Sequence, residues 1–164
     1  MTTVHAPADR AAEVVAAVPD PELPMVTIAD LGILRGVEVS GTGRVTVTIT
    51  PTYSGCPAMD TIRTDIRRAL TAAGWPDVEV RTQLAPAWTT DWMTQEAKHK
   101  LAEAGIAPPE PHQDGGPVPV RLSMRCPNCG SPDTSEISRF GATSCKSLWR
   151  CRSCAEPFEH FKAL

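Results

Sequence analysis

Hydrophobic and polar positions follow two different periods along the first part of this chain. From Asp9 to Val18, apolar residues recur at i, i+3, i+4 and i+7, which predicts a helix with one buried face. From Arg44 to Thr50, valine and isoleucine alternate with threonine, as in a strand that buries one face. Ile33 to Val39 is the predicted hairpin partner of this strand, because Gly41-Thr-Gly43 provides a turn between the two.

The helical period returns after Pro57. An apolar stripe from Ile62 to Ala73 predicts a second helix, and Val78 to Leu84 has the composition of a third strand. A further helix is expected after these elements. The order α-β-β-α-β-α predicts a small α+β domain in which helices cover a three-stranded sheet.

Thr90 or Asp91 is the expected N-cap of the last helix of this domain. After that helix, a change of composition marks the end of the domain. Residues 106–119 contain five prolines and two glycines, a composition that cannot sustain a helix or a central strand. We therefore predict a domain at residues 1–105, a linker at 106–119 and a second domain at 120–164.

Two Cys-x-x-Cys pairs dominate the second domain. Cys126 and Cys129 form the first pair, Cys151 and Cys154 form the second, and 21 residues separate the pairs. This gap is just outside the window of roughly 15–20 residues that is usual for such ribbons, but it is long enough for a two-stranded excursion. Four thiolates in two such pairs predict a tetrahedral zinc site with Zn–S distances of about 2.3 Å. Strand-like segments around the pairs indicate an antiparallel β zinc ribbon, in which the metal replaces a large core. An iron–sulfur or mononuclear iron site on the same cysteines and two disulfides are the alternatives.

Composition and charge limit the classes of partner that we expect for this protein. The 164 residues are 41% hydrophobic and 21% charged, which is normal for a soluble globular protein. There is no membrane-length apolar run and no secretory pattern at the N-terminus, so we expect a cytoplasmic protein with reduced thiols. Residues 120–164 hold seven Lys+Arg and four Asp+Glu, but four thiolates around one Zn²⁺ reduce this net charge to about +1. We therefore expect neither nucleic acid nor a membrane as partner.

Cys56 is the candidate functional thiol of the first domain. It precedes Pro57 at the predicted start of a helix, where the helix dipole favours a thiolate that could bind iron, a cluster or a partner's sulfur. The alternative is an inert, half-buried side chain. Asp20, Glu22 and Asp30 lie in loops beside the first strand and could surround Cys56, or could act only as turn and capping residues.

Other candidate residues have weaker patterns. Cys145 could be a spare thiol, an alternative ligand or a packing residue. Glu96 and His99 have the Glu-x-x-His spacing of di-iron sites, but those sites need two such helices and two further glutamates, so we expect a solvated helix face. The sequence has no Ser/His/Asp arrangement, phosphate loop or dinucleotide fingerprint. We expect no intrinsic catalysis.

Three motifs in the first domain resemble the MIP18 family, formerly called DUF59. They are Val18-Pro-Asp-Pro-Glu-Leu-Pro24, Ile28-Ala-Asp-Leu-Gly-Ile33 and the run from Thr48 to Pro57. The resemblance implies a small α+β fold, a role in iron–sulfur cluster assembly and a functional cysteine at the position of Cys56.

Motifs in the second domain extend the resemblance to nearly the whole chain. Arg125–Gly130, Arg139–Lys146, Cys151–Cys154 and Glu156–Lys162 are similar to the PaaD (or PaaJ) family, whose members are accessory proteins of bacterial phenylacetyl-CoA epoxidase. This resemblance implies phenylacetate catabolism and protein partners among the oxygenase and reductase components of that system.

Two functional hypotheses follow from the residues and the resemblance together. In the first, the chain is a maturation factor whose Cys56 handles iron or a cluster for a partner protein, while the zinc ribbon docks that partner. In the second, it is a non-catalytic structural subunit of the oxygenase complex and Cys56 is inert.

Overall fold

The computed structural model describes residues 6–110 and 124–164. The chain divides into two compact units, Met1–Trp88 and Thr89–Leu164. Among the described residues, no helix is both long enough and apolar enough to cross a membrane.

The first unit is a three-stranded sheet with two helices. Its elements are α1 (Pro7–Ala16), β1 (Leu34–Val39), β2 (Val45–Ile49), α2 (Ala58–Ala72) and β3 (Val78–Thr82). The strand order is β1-β2-β3; β2 pairs antiparallel with β1 and parallel with β3. Because parallel neighbours need a crossover, α2 connects β2 to β3 across the sheet. The predicted α+β fold is confirmed.

The alternation along β2 determines which face of the sheet is buried. Val45, Val47 and Ile49 are fully buried, whereas Thr46 and Thr48 on the other face are partly exposed. Helix α1 contacts β1, and helix α2 contacts β3. The apolar stripes of the two helices complete this core. The buried residues of the two helices are Ala11, Val15, Ala58, Met59, Ile62, Ile66 and Leu70.

The segment between α1 and β1 is a closed loop. Pro19 and Thr27 form an isolated antiparallel bridge across it. The Asp30 N–H donates to Thr27 Oγ1 at 3.0 Å, and the Thr27 N–H donates to Asp30 Oδ2 at 3.2 Å. These two reciprocal hydrogen bonds have the geometry of a capping box, and they fix the backbone just before β1 begins.

The second unit is built on a four-stranded sheet. A 3-10 turn at Thr90–Trp92 precedes its regular elements, which are α3 (Gln95–Glu103), β4 (Ile106–Ala107), β5 (Thr134–Ser138), β6 (Lys146–Cys151) and β7 (Pro157–Phe161). The strand order is β4-β7-β6-β5. Strands β5, β6 and β7 form the expected antiparallel ribbon, and β4 adds to β7 in parallel.

The boundary between the two compact units lies before the predicted domain boundary. The sequence placed the last helix in the first domain and began the linker at residue 106, whereas α3 and β4 belong to the second unit. Ala97 and Leu101 of α3 are fully buried, and β4 is part of the ribbon sheet. An amphipathic pattern shows that a helix buries one face, but it does not show which unit covers that face.

The cap of α3 also differs from the expected one. Thr94 caps the helix, because its Oγ1 accepts a hydrogen bond from the Ala97 N–H at 3.0 Å. Thr89 caps the preceding 3-10 turn instead of Thr90 or Asp91 capping a helix. Most of the predicted linker, residues 111–119, lies outside the described residues.

Candidate metal centre and functional thiol

The four paired cysteines of the second unit lie together. Their Sγ atoms are all within 4.8 Å of one another. Cys129 Sγ lies 3.5 Å from Cys151 Sγ, and Cys126 Sγ lies 3.8 Å from Cys154 Sγ. Tetrahedral zinc with Zn–S bonds of about 2.3 Å separates its sulfurs by about 3.8 Å, so these residues fit one zinc ion. Four sulfur ligands leave no open coordination position, as in structural zinc sites.

Tight turns hold each pair of cysteines. In the first knuckle the Gly130 N–H donates to the Cys126 carbonyl at 2.8 Å, and Gly130 has φ +73°, a conformation that favours glycine. In the second knuckle the Cys151 N–H donates to the Glu156 carbonyl at 3.0 Å. Ala155, at φ +66°, adopts the left-handed conformation without being glycine. The second turn therefore keeps a geometry that disfavours alanine by about 1–2 kcal/mol.

Hydrogen bonds and packing connect the two knuckles. The hydroxyls of Ser131 and Ser153 lie 2.7 Å apart, and the Arg152 N–H donates to the Asp133 carbonyl at 2.8 Å. The apolar cluster packed around the cysteines consists of Ala107, Met124, Cys126, Trp149, Cys151 and Phe158, with Cys154 against it. The site is therefore fixed by its surroundings as well as by its ligands.

Local hydrogen bonds make the thiols unequal. The Cys154 N–H donates to Cys151 Sγ at 3.5 Å and lowers the pKa of Cys151 to about 6, against the opposing effect of burial. A hydrogen bond from the Glu156 amide lowers the pKa of Cys154, but burial and the neighbouring thiols outweigh it and raise that pKa to about 12. Since metal ligands must be thiolates, metal binding at neutral pH displaces protons from this cluster.

The remaining metal-type residues that the structure describes in the second unit do not join the cluster. None of the six cysteines, all of which lie in the described ranges, forms a disulfide, so the two-disulfide alternative does not describe this structure. Cys145 is buried, with its Sγ 3.0 Å from Thr143 Oγ1. His99 Nε2 lies 3.3 Å from a Glu103 oxygen on the exposed side of α3, and the Glu96 carboxylate faces a lysine of the same helix. In the described ranges, the four cysteines are the only group of three or more potential ligands.

Cys56 occupies the predicted position before α2. Its N–H donates to the Tyr53 carbonyl at 3.3 Å, and its carbonyl accepts from the Met59 N–H at 3.3 Å. Pro57 already has helical angles, φ −68° and ψ −22°, and Gly55 turns the chain with φ +83°. The Cys56 side chain is half-buried, so part of it faces solvent at the N-terminal end of a 15-residue helix.

The strand register places the loops of the first unit. Leu34, the first residue of β1, pairs with Ile49, the last residue of β2. Ile49 also pairs with Thr82, the last residue of β3. The loop that contains Asp30 and the loop that contains Cys56 therefore leave the same end of the sheet.

The acidic residues near that sheet end shape the loop. Asp20 is 6% exposed, and its Oδ1 accepts the N–H groups of Glu22 and Leu23 at 2.9 Å each. Asp30 is bonded to Thr27 as described above. These contacts are those of turn and capping residues, which was one of the two interpretations of the sequence. That Asp20, Glu22 and Asp30 surround Cys56 stays a prediction.

An ion pair in the second unit was not predicted from the sequence. Lys146 Nζ lies 2.6 Å from Glu159 Oε2, and the side chains are 6% and 24% exposed. The two residues face each other between β6 and β7, thirteen positions apart in the chain. Neither the helical nor the strand period relates positions at this spacing, so no sequence signal identifies the pair.

A polar chain beside this pair was also missed. Trp149 Nε1–H donates to Ser147 Oγ at 2.9 Å, and Ser147 Oγ lies 3.3 Å from His160 Nδ1. The rings of Trp149 and His160 meet edge to face, with centroids 6.4 Å apart. Burial, with a smaller contribution from the Lys162 charge, lowers the pKa of His160 to about 4. His160 is therefore neutral at physiological pH.

Comparison with known families assigns a class to each unit. Residues 9–82 match the family described as iron–sulfur cluster assembly protein. Residues 111–162 match the PaaD zinc beta ribbon domain. A solved structure of the DUF59 domain from Bacillus anthracis covers 58% of this chain and 91% of its own, with a TM-score of 0.54 and 29% identity. The fold and the cysteine site thus define a DUF59-type domain joined to a zinc ribbon.

Sequence relatives narrow the class. A protein of Escherichia coli (strain K12), named as a component of 1,2-phenylacetyl-CoA epoxidase, is 50% identical over 147 residues, covering 90% of this chain and 87% of the relative. The chain belongs to the family of this epoxidase component, the PaaD family. An Fe-S protein maturation auxiliary factor of Porphyromonas gingivalis is 40% identical over 83 residues, covering 50% of this chain and 78% of that factor. Both resemblances found in the sequence are confirmed.

Proposed function

We propose that this protein is an accessory maturation factor of the phenylacetyl-CoA epoxidase system. In this proposal Cys56 handles iron or an iron–sulfur cluster for a partner protein, the zinc ribbon docks that partner, and the oxidation chemistry belongs to the other components. The observation that carries the proposal is a half-exposed thiol before α2, in a domain that matches iron–sulfur assembly proteins. The Fe-S maturation factors among the relatives support an accessory role of this kind.

The four-cysteine site of the ribbon and Cys56 differ in how many ligands each offers to a metal ion. The four ribbon thiols provide all four ligands of a tetrahedral zinc site, so an ion bound there is held and not handed on. Cys56 supplies one sulfur, whereas iron and iron–sulfur clusters are commonly held by several ligands. Iron or a cluster at Cys56 therefore needs further ligands from the client or from a second protein. An incomplete ligand set of this kind suits transfer better than storage.

Replacement of Cys56 by alanine tests the proposal. The variant should fold, because alanine fits a half-buried position occupied by cysteine, yet epoxidase produced beside it in cells should be deficient in iron or cluster. Cys145→Ser is the matched control, since it also removes one thiol outside the four-cysteine site. Metal analysis of the purified oxygenase and reductase gives the readout. Normal metal content beside Cys56→Ala would overturn the proposal.

A second candidate function is a non-catalytic structural subunit of the oxygenase. The observation that favours it is the name of the Escherichia coli relative, which calls that protein a subunit. Fully metallated oxygenase and reductase, assayed with and without this protein, separate the two candidates. Full activity in its absence supports maturation, and a strict requirement during turnover supports the structural role.

A further inference from the structure

The loop between β5 and β6 exposes a large aromatic side chain. Phe140 is 67% exposed, although the same unit buries Trp149, Phe158 and Phe161. Ile137, three residues earlier, is 55% exposed. Aromatic side chains on rigid supports are common anchors in protein interfaces.

The backbone on both sides of Phe140 is fixed by hydrogen bonds. The Phe140 N–H donates to Ser138 Oγ at 3.1 Å, and the Gly141 N–H donates to the Lys146 carbonyl at 2.8 Å. The Ala142 N–H donates to Glu159 Oε1 at 2.8 Å. A folded and hydrogen-bonded loop therefore presents this ring.

The Lys146–Glu159 ion pair supports the same loop. Glu159 uses one oxygen for Lys146 and the other for the loop amide of Ala142. A Cβ added at Gly141 would lie 2.7 Å from Glu159 Oε1 and 3.3 Å from Lys146 Cβ. Position 141 therefore has no room for a side chain while this arrangement is kept. Ion pairs contribute little net stability whether they are exposed or buried, so we interpret the role of this pair as fixing the loop conformation.

One cation lies against the exposed ring, and a second belongs to the residue before it in the chain. Lys162 Nζ is 5.0 Å from the Phe140 ring centroid and donates to the Arg139 carbonyl at 3.1 Å. Arg139 precedes the ring in the chain, and its side chain is exposed. Within the described part of the chain, neither Lys162 nor Arg139 forms an ion pair. The described surroundings of Phe140 therefore include two cationic side chains that are not held in ion pairs.

The adjacent sheet edge is unsuited to strand addition. Strand β5 is the edge of the described four-stranded sheet, but its register with β6 shifts between Glu136 and Ser138. Bulges at sheet edges interrupt the regular row of backbone donors and acceptors. A partner at this edge is expected to bind side chains more than backbone.

We propose that Phe140, Arg139 and Lys162 form a docking surface, here called the Phe140 surface, for a protein partner with an apolar pocket bordered by carboxylates. The ring fills the pocket, and the two cations face the carboxylates. The inference rests on the proposed function for the identity of that partner, which is the oxygenase or the reductase of the epoxidase system. It assigns the docking step to one face of the ribbon and leaves metal handling to Cys56.

Binding measurements with those two purified proteins test the surface. Each is titrated against the zinc-loaded full-length chain by biolayer interferometry. Phe140→Ala should weaken binding to one of them about tenfold or more, as loss of an interface anchor does. Arg139→Glu should weaken the same binding and slow association most at low salt. Phe140→Tyr should keep affinity within about twofold, because it keeps the ring that fills the pocket.

Three controls separate docking from folding and from maturation. Leu164→Ala changes another exposed apolar side chain of the same unit and should bind like the wild type. Gly141→Ala keeps the ring but displaces Glu159, so it should bind weakly while still holding one zinc. Cys56→Ala should dock with unchanged affinity even if it fails in maturation.

Several results would overturn the inference. Wild-type affinity of Phe140→Ala would show that the ring is not an anchor. Absence of binding by the wild-type chain to both proteins would refute the assigned partner, while the metal content of epoxidase beside Cys56→Ala would still decide the maturation role. Binding to anionic vesicles or duplex DNA that depends on Phe140, without binding to either protein, would assign the surface to another class of ligand.

Discussion

Ile106 lies opposite Glu159 where β4 pairs in parallel with β7. The residues just before the proline-rich segment are therefore part of the zinc-ribbon sheet. Ala107 of the same strand belongs to the apolar cluster around Cys126 and Cys151. The ribbon and the segment from α3 to β4 should consequently unfold together.

Leu101→Ala should destabilise the second unit and leave the first unit intact. Leu101 of α3 is fully buried, and truncation of a buried leucine costs about 2–5 kcal/mol. Amide hydrogen exchange on the full chain should show lost protection in β5 to β7. Leu70→Ala in α2, which is equally buried, is the control and should affect the first unit. Loss of protection in the first unit alone after Leu101→Ala would instead support a boundary at residue 105.

Cys129→Ser should abolish binding of about one zinc per chain and unfold the second unit, because metal binding and folding are coupled in such domains. Metal analysis and amide exchange provide the measurements. Cys145→Ser should retain the metal, since Cys145 lies outside the four-thiol cluster. Retention of zinc by Cys129→Ser would contradict the ligand assignment.

Cys56 should be alkylated faster than any other cysteine of the zinc-loaded protein. It is half-buried, Cys145 is only 6% exposed, and metal coordination protects the other four thiols. Timed iodoacetamide labelling with peptide mapping measures the order. Faster labelling of Cys145 would contradict the assignment of Cys56 as the accessible thiol.

The second unit should lose stability as pH falls from about 6.5 to about 4. The pKa of His160 is lowered to about 4 in the folded chain, whereas an unfolded histidine titrates near 6.5. The unfolded state therefore binds the proton first, and unfolding becomes easier by at most about 3 kcal/mol across this window.

Urea unfolding of wild type and His160→Asn at pH 7 and pH 5 isolates this effect. Acid release of the metal affects both proteins, so only the difference between their pH dependences reports on His160. The variant should lose less stability than the wild type on acidification. Equal losses would exclude a role of His160.

Residues with a periodic or spaced pattern could be predicted from the sequence. Alternation identified β2, and the predicted start of α2 differs from the observed Ala58 by one residue. The spacing of Cys126, Cys129, Cys151 and Cys154 predicted the group of four thiols that the structure brings together. In each case the signal is local, because hydrogen bonding within an element or a knuckle sets the spacing.

The features that were missed depend on contacts that are distant in the chain. Strand β4 has two residues, too few for an alternation pattern, and its partner Glu159 is far away in sequence. The Lys146–Glu159 pair and the loop that presents Phe140 exist only after β6 and β7 have paired. Residues 106 and 107 were predicted to be part of the linker from composition alone, because prolines follow them directly.

The pairing of β4 with β7 also has a consequence for the order of folding. Strands β5, β6 and β7 pair with their neighbours in sequence, whereas Ile106 and Glu159 are 53 residues apart. Closing the longer loop costs more conformational entropy and raises contact order, so the ribbon hairpins should form before β4 docks. Synthesis on the ribosome runs in the opposite order: β4 is made first and stays unpaired until translation has passed β7.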